Sequence, residues 1–337
     1  MAAEQGPNVR GGYRTLRRLA RVRTGWVGAA LLVMVIAVAL AAPLVAPYSF
    51  NELSLADRLK PPDWLGGTGA HLLGTDPLGR DVFSQIIVGA RISMVVGVFS
   101  VVVGMAVGTA VGLVAGSVPG GVADVLMRTT DALLVFPSLV LALAITAFLG
   151  VSLWNVIGAL AVTFVPTFAM IVRGEVLSLR EREFVTAAWA LGVGRLRVML
   201  RHLLPNLSDV LLVQASFGIG TAILTEASLS FLGLGVPPPA LSWGRMLREG
   251  YSYLLQAPWI SIASGAAIFL IALAFQMLSD GLQDVLSRRG RRATRRGSAI
   301  WPTGRSRGHS RLQRRERKAR DWACDQADAH GPEPGEA

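Results

Sequence analysis

Of 337 residues, 52% are hydrophobic and only 16% charged, against about 25% charged in an ordinary soluble domain. With a mean hydropathy of +0.49, that balance excludes a conventional soluble fold and points to apolar runs that lie in a bilayer. The net charge of +11 is local: Arg288 to Ala337 carry 14 Lys+Arg against 6 Asp+Glu, which leaves only +3 for the first 287 residues.

The chain opens on an arm, residues 1–24, expected to be cytoplasmic and holding six arginines. A first apolar stretch, Trp26–Ala46, follows. The small residues near Ala41 and Ala42 resemble a signal cleavage site, but the run exceeds the ~7–15 residues of a signal core, so a retained anchor is expected. In the loop 47–85, Asp76 and Pro77 have the form of an N-cap and first helical residue. Val82, Phe83, Ile86, Ile87 and Ala90 then share a face, which fits either a short helix on the outer surface or a plain entry into the next span.

Five further stretches run over Ile86–Gly116, Ala132–Gly150, Trp154–Val172, Val210–Leu232 and Trp259–Leu278. A crossing helix needs ~20 apolar residues to span ~30 Å. The reading is therefore an all-α polytopic protein with six transmembrane helices over residues 25–287. In the second stretch Ser100, Gly104, Gly108, Gly112 and Gly116 recur every fourth residue. Small residues at that spacing let helix backbones approach closely in lipid; lining a pathway is the other reading. The remaining residues, 288–337, have the composition of a disordered basic and acidic tail, or of a segment that meets anionic lipid heads.

Orientation follows from the basic residues. The arm and the loop 173–206 hold six arginines each, whereas the loop 47–85 has three basic against five acidic residues and the loop 233–258 has two arginines. Both termini and the loop 173–206 are therefore expected on the cytoplasmic side.

Chemistry is sparse. The only lysines, Lys60 and Lys318, follow leucine and arginine, so no Gly-Lys-Ser/Thr phosphate loop exists. Cys324 stands alone, and histidines 71, 202, 309 and 330 lie far apart, so no metal-site spacing appears. No catalytic residue, metal or cofactor is expected in this chain. Glu226 is the clear ionisable residue within a span, and Gln214 is a polar companion on the same stretch. Each is a candidate for pathway lining or for a structural hydrogen bond.

The loop 173–206 is the most informative segment. A helix is predicted over Glu181–Leu191 with Phe184, Ala187, Ala188 and Leu191 on one face, ended by Gly192. A second helix carries Leu196, Met199, Leu200, Leu203 and Leu204 on its apolar face. Pro205 is expected to stop it, with Asn206 capping the next span. Two short helices about a glycine also describe a DNA-binding unit, but anchorage between spans denies access to a duplex, so no nucleic acid is expected. A docking knob for a cytoplasmic protein accounts for a short apolar helix held at both ends.

Thr186-Ala187-Ala188, three residues, Gly192, nine residues, then His202-Leu203-Leu204-Pro205 resembles the EAA loop of ABC importer permeases, with Thr186 where that pattern has Glu and His202 where it has Ile. Leu73-Gly-Thr-Asp-Pro-Leu-Gly-Arg-Asp-Val-Phe83, Gly89 to Ser93, Asp131 to Pro137, Ala227 to Gly235, Pro237 to Pro239, Ser242 to Gly244 and Ser279 to Asp284 are similar to the C-type permease subunit of dipeptide, oligopeptide and nickel importers. The resemblance implies the type I ABC importer permease fold in a bacterial plasma membrane. It implies ATPase contact through Glu183, Phe184, Thr186, Ala187, Ala188, Leu191, Gly192, Leu204 and Pro205. It further implies two cytoplasmic ATP-binding subunits, a homologous second permease subunit and an extracytoplasmic solute-binding protein that delivers peptide. Nickel or another small solute is an alternative cargo. A stand-alone ion-coupled transporter or channel is the alternative of a different class.

Overall fold

The computed structural model describes residues 23–49, 52–67, 69–118 and 120–298. Readings of the arm up to residue 22 and of the tail from residue 299 lie outside the described residues. The chain divides into two compact units, Met1–Leu286 and Ser287–Ala337, and the first holds the bundle.

Helices carry the fold. α1 (Arg23–Leu40) and the short α2 (Ala42–Val45) precede α3 (Val82–Ser117). α4 (Gly121–Leu134), α5 (Ser138–Leu149) and α6 (Leu153–Arg180) follow. Then come α7 (Glu183–Ala190), α8 (Arg195–Val198), a π-helical turn Met199–Leu203 and α9 (Leu204–Phe231). α10 (Trp243–Tyr251) and α11 (Pro258–Ser298) complete the described chain. Val82–Ser117, Leu153–Arg180, Arg195–Phe231 and Pro258–Leu286 are long and apolar enough to cross a membrane. α4 and α5 pass the same test as a pair bent by 92°, and the apolar part of α1, Gly25–Leu40, is shorter.

The differences from the sequence reading have local causes. The stretch 132–150 is not one straight span, because Pro137 sits extended at φ −54°, ψ 131° between α4 and α5. The residue before a proline is steered away from the helical region, so the chain turns there. α3 does not begin at Asp76. That carboxylate is taken by the amides of Leu78 and Arg80 in a turn, and Asp81 is the N-cap instead, accepting from Ser84 N at 2.8 Å. Val82, Ile87 and Ala90 are buried, so the apolar face at the start of the helix packs into the bundle. α6 continues through Arg180, so the first part of the loop 173–206 is helix. Pro205 does not separate the second loop helix from the fifth span. It stands at the start of α9 directly after the π-helical turn, inside the continuous helix Arg195–Phe231, and Asn206 does not cap the span but donates to His202 O at 2.6 Å.

The core is built on α3 and α6. Gly104, Gly108 and Gly112 face α6 so closely that a Cβ on each would lie 2.8, 2.6 and 2.6 Å from the carbonyl oxygens of Ala161, Val165 and Ala169. Gly116 meets Val176, and Ser100 is fully buried at the head of the same stripe. The close backbone approach is what small residues at every fourth position permit.

Candidate functional site

α7 is a helix of eight residues clipped between α6 and α8. Val185 and Ala188 are buried against Val172, Val176, Leu179, Leu203 and Leu207, with Trp189 partly buried beside them. The expected single apolar face is therefore split. Ala188 points inward, while Phe184 (41% exposed), Leu191 (84% exposed), Glu183, Thr186 and Ala187 point outward. Leu204 is half-buried, and Pro205 and Gly192 are exposed. Leu196 and Leu200 extend the outward apolar surface, of the kind that marks an interaction site. Val185 escaped the sequence reading because periodicity fits two phases one residue apart, and only the neighbouring helices select between them.

The helix ends as a Schellman motif. Gly192 at φ 75° donates to Trp189 O, and Val193 donates to Ala188 O. Arg180 fixes the same helix from the other side. Its Nη1 donates to Gly116 O at 2.7 Å at the end of α3, and its guanidinium lies 5.3 Å from the ring centre of Trp189. The knob is thus joined to α3 as well as to its sequence neighbours.

Glu226 lies in the interior as a node between helices. Its carboxylate accepts from Ser230 Oγ at 2.7 Å and from Ser93 Oγ of α3 at 3.5 Å. Ser230 meets Ser242 at 3.2 Å, and Trp243 N donates to Ser93 Oγ at 3.3 Å. These bonds pin the start of α10 to α3 and α9, and Gly244 lets α10 settle directly on Ala227. Gln214 is half-buried more than three turns earlier, about 18 Å along the axis, so the structure does not bring the two polar candidates together.

At the end of the molecule opposite α7 stands a second polar cluster that the sequence reading missed. Asp76 is buried and accepts from Gln85 Nε2 and from Arg80. Arg80 Nη2 also reaches Glu249 Oε2 at 3.1 Å, and Glu249 Oε1 accepts from Arg245 Nε at 2.9 Å. His71 Nδ1 lies 3.1 Å from Asp81, and Trp259 Nε1 donates to Thr75 O at 3.1 Å. Nearby, Lys60 and Ser54 hydrogen-bond Asp57 and hold its carboxyl below the usual range. One signal was legible: Arg245, Arg248 and Glu249 sit at i, i+3 and i+4, one face of a helix.

Long apolar helices that hold a short surface helix between two of them define a polytopic membrane protein. Residues 108–292 match the family described as binding-protein-dependent transport system inner membrane component. Residues 12–62 match the N-terminal TM domain of oligopeptide transport permease C. The dipeptide transport system permease protein DppC of Alkalihalophilus pseudofirmus is 41% identical over 270 residues, covering 80% of this chain and 87% of the relative. The glutathione transport system permease proteins GsiD of Pectobacterium atrosepticum and Shigella flexneri are 41% and 43% identical, with 80% of this chain and 88% of each relative covered. Among solved structures, a chain of the MetNI methionine ABC transporter in an inward-facing conformation is similar at a TM-score of 0.49 and 18% identity, covering 60% of this chain and 96% of that one. The chain belongs to the binding-protein-dependent inner membrane component family, and it is a permease subunit of an ABC importer.

Proposed function

We propose that this subunit forms half of a translocation pathway for di- and oligopeptides and is driven by two separate cytoplasmic ATP-binding subunits that grip α7. A homologous second permease would complete the pathway, and an extracytoplasmic solute-binding protein would deliver peptide to the loops 47–85 and 233–258. This chain itself would catalyse nothing and hold no cofactor, with both termini cytoplasmic as the arginine distribution indicates. The observation that carries the reading is α7 itself: a short helix anchored by Val185, Ala188 and the Arg180 clamp, with Phe184 and Leu191 left outward. Rigid anchorage with an outward apolar rim is what a part needs if it is to be pushed by a neighbour and to pass the motion on. The peptide cargo is supported by the dipeptide and glutathione systems named for the relatives.

The test uses the complete importer in proteoliposomes. Leu191→Asp places a charge on the outward rim without touching the buried face. It is expected to abolish ATP-driven peptide uptake and co-purification of the ATP-binding subunits, while membrane insertion stays normal. Full uptake by this variant would show that α7 is not the contact.

A further inference from the structure

Beside α10 lies a pocket of about 430 Å³, within the size range of ligand sites, whose lining includes Ser230, Gly233, Arg245, Arg248, Glu249 and Ser252. The larger cavity of about 790 Å³ between α9 and α11 offers only Ser228 and Gln276 as polar lining residues and no charge. The smaller pocket differs in holding an unneutralised cation. Its charged lining residues are Arg245, Arg248 and Glu249, and Arg80 and Asp76 join through Glu249. Arg80 is paired with both Asp76 and Glu249, and Arg245 with Glu249 and with Ala240 O. Arg248 has no ion pair or hydrogen bond among the described residues and is exposed.

The guanidinium lies against the turn that ends α9. Gly233 sits at φ 93°, and a Cβ there would lie 2.5 Å from Arg248 Nη1. That glycine answers to its own backbone, as the C′ residue of a Schellman end in which Gly233 N donates to Ser230 O and Leu234 N to Leu229 O, and the turn it makes sets the Arg248 guanidinium beside the pocket wall with its donors unpaired. A planar guanidinium with free N–H groups matches a carboxylate in bidentate fashion. We propose that this pocket is a carboxylate-binding subsite of the importer with Arg248 as the binding cation. The proposal rests on the reading that residues 233–258 face the delivery side. Two carboxylates reach that side, the C-terminus of the peptide and an acidic side chain of the binding protein, and the chemistry of recognition is the same for both.

The experiment compares the wild-type importer with Arg248→Gln and Arg248→Lys in proteoliposomes. One arm measures uptake of a peptide with a free C-terminus and of its C-terminal amide. The other titrates peptide-free binding protein and reads stimulated ATP hydrolysis. If the peptide supplies the carboxylate, Arg248→Gln lowers the acid-to-amide uptake ratio by about tenfold or more, the scale of one charge-assisted hydrogen bond. If the binding protein supplies it, the ratio holds and the half-saturating concentration of binding protein rises by a similar factor. In either case Arg248→Lys recovers part of the loss. An Arg248→Gln importer that matches wild type in both arms overturns the subsite, as does Arg248→Lys no better than Arg248→Gln. A wild-type importer that moves no peptide would defeat the peptide reading alone, since the binding-protein titration would still decide on Arg248.

Discussion

Arg180 shows how much a single side chain can be asked to do. It closes α6, satisfies a carbonyl at the end of α3 and stacks over the ring of a residue in α7. The last four carbonyls of a helix have no intrahelical partner, so a cation there both satisfies an acceptor and complements the helix dipole. Arg180→Ala removes both links at once. It is expected to destabilise the subunit by about 1.5–3 kcal/mol, the range for hydrogen bonds to charged groups, and to lower the peptide carried per ATP hydrolysed more than it lowers hydrolysis itself. Arg180→Lys retains a donor and loses the planar stacking, so its transport should fall between the two. Equal losses of hydrolysis and transport in Arg180→Ala would mean the clamp serves stability and not coupling.

At the scale of the element, the stripe on α3 makes a prediction that depends on which glycine is changed. Gly108→Ala puts a methyl 2.6 Å from both Val165 O and Phe168 Cβ. Two backbones must then part, at a cost of about 1–3 kcal/mol for overpacking. Gly158 lies in α6 with nothing within 4 Å of an added Cβ, so Gly158→Ala should be neutral or stabilise by up to about 1 kcal/mol through helix propensity. Thermal unfolding of the two variants in detergent checks the contrast, and equal melting temperatures would contradict the close approach. The stripe was legible in the sequence because its period is local, as were the apolar stretches and the spacing from Thr186 to Pro205. The effects of Pro137 and Pro205 were not, whereas the stretch Trp154–Val172 ran through Pro166 as the helix does. Pro137 divides α4 from α5, Pro166 is buried inside α6, and Pro205 stands in the first turn of α9. A local rule treats all three as breakers. What separates them is the surroundings: neighbouring helices and local π adjustments accommodate a proline within a membrane helix, as the π-helical turn Met199–Leu203 does ahead of Pro205. The cluster of Asp76, Arg80, Gln85, Arg245 and Glu249 was hidden for a similar reason, since Arg80 and its partner Glu249 lie 169 positions apart and no period connects the members.

Across the whole subunit, α3 is the element that meets the Arg180 clamp, the Glu226 node and the Asp76 cluster. Its N-terminal end is held by Asp81 and by the bond from Trp243 Nε1 to Ile86 O at 2.8 Å. Its middle bonds Glu226 through Ser93 and packs on α6 through the stripe. Its last turn receives Arg180. A helix of 36 residues is about 54 Å long at 1.5 Å per residue, enough to join the α7 end of the bundle to the α10 end without a joint. Motion imparted at α7 would then reach the Glu226 node and α10 as a rigid-body shift. Val102 offers a place to test this, because its side chain is 46% exposed and contributes little packing. Val102→Pro removes one helical bond and forces the ring against the preceding turn, a cost of about 3 kcal/mol that bends the rod at its centre. Val102→Ala changes only the side chain and serves as the control. With α7 and its clamp untouched, Val102→Pro should still bind the ATP-binding subunits and support basal ATP hydrolysis, yet lose peptide uptake and stimulation by the binding protein, while Val102→Ala keeps all four. Uptake that survived the proline would show that the signal does not travel through α3, and loss of the ATP-binding subunits would show that the α7 end depends on the rod for its own structure.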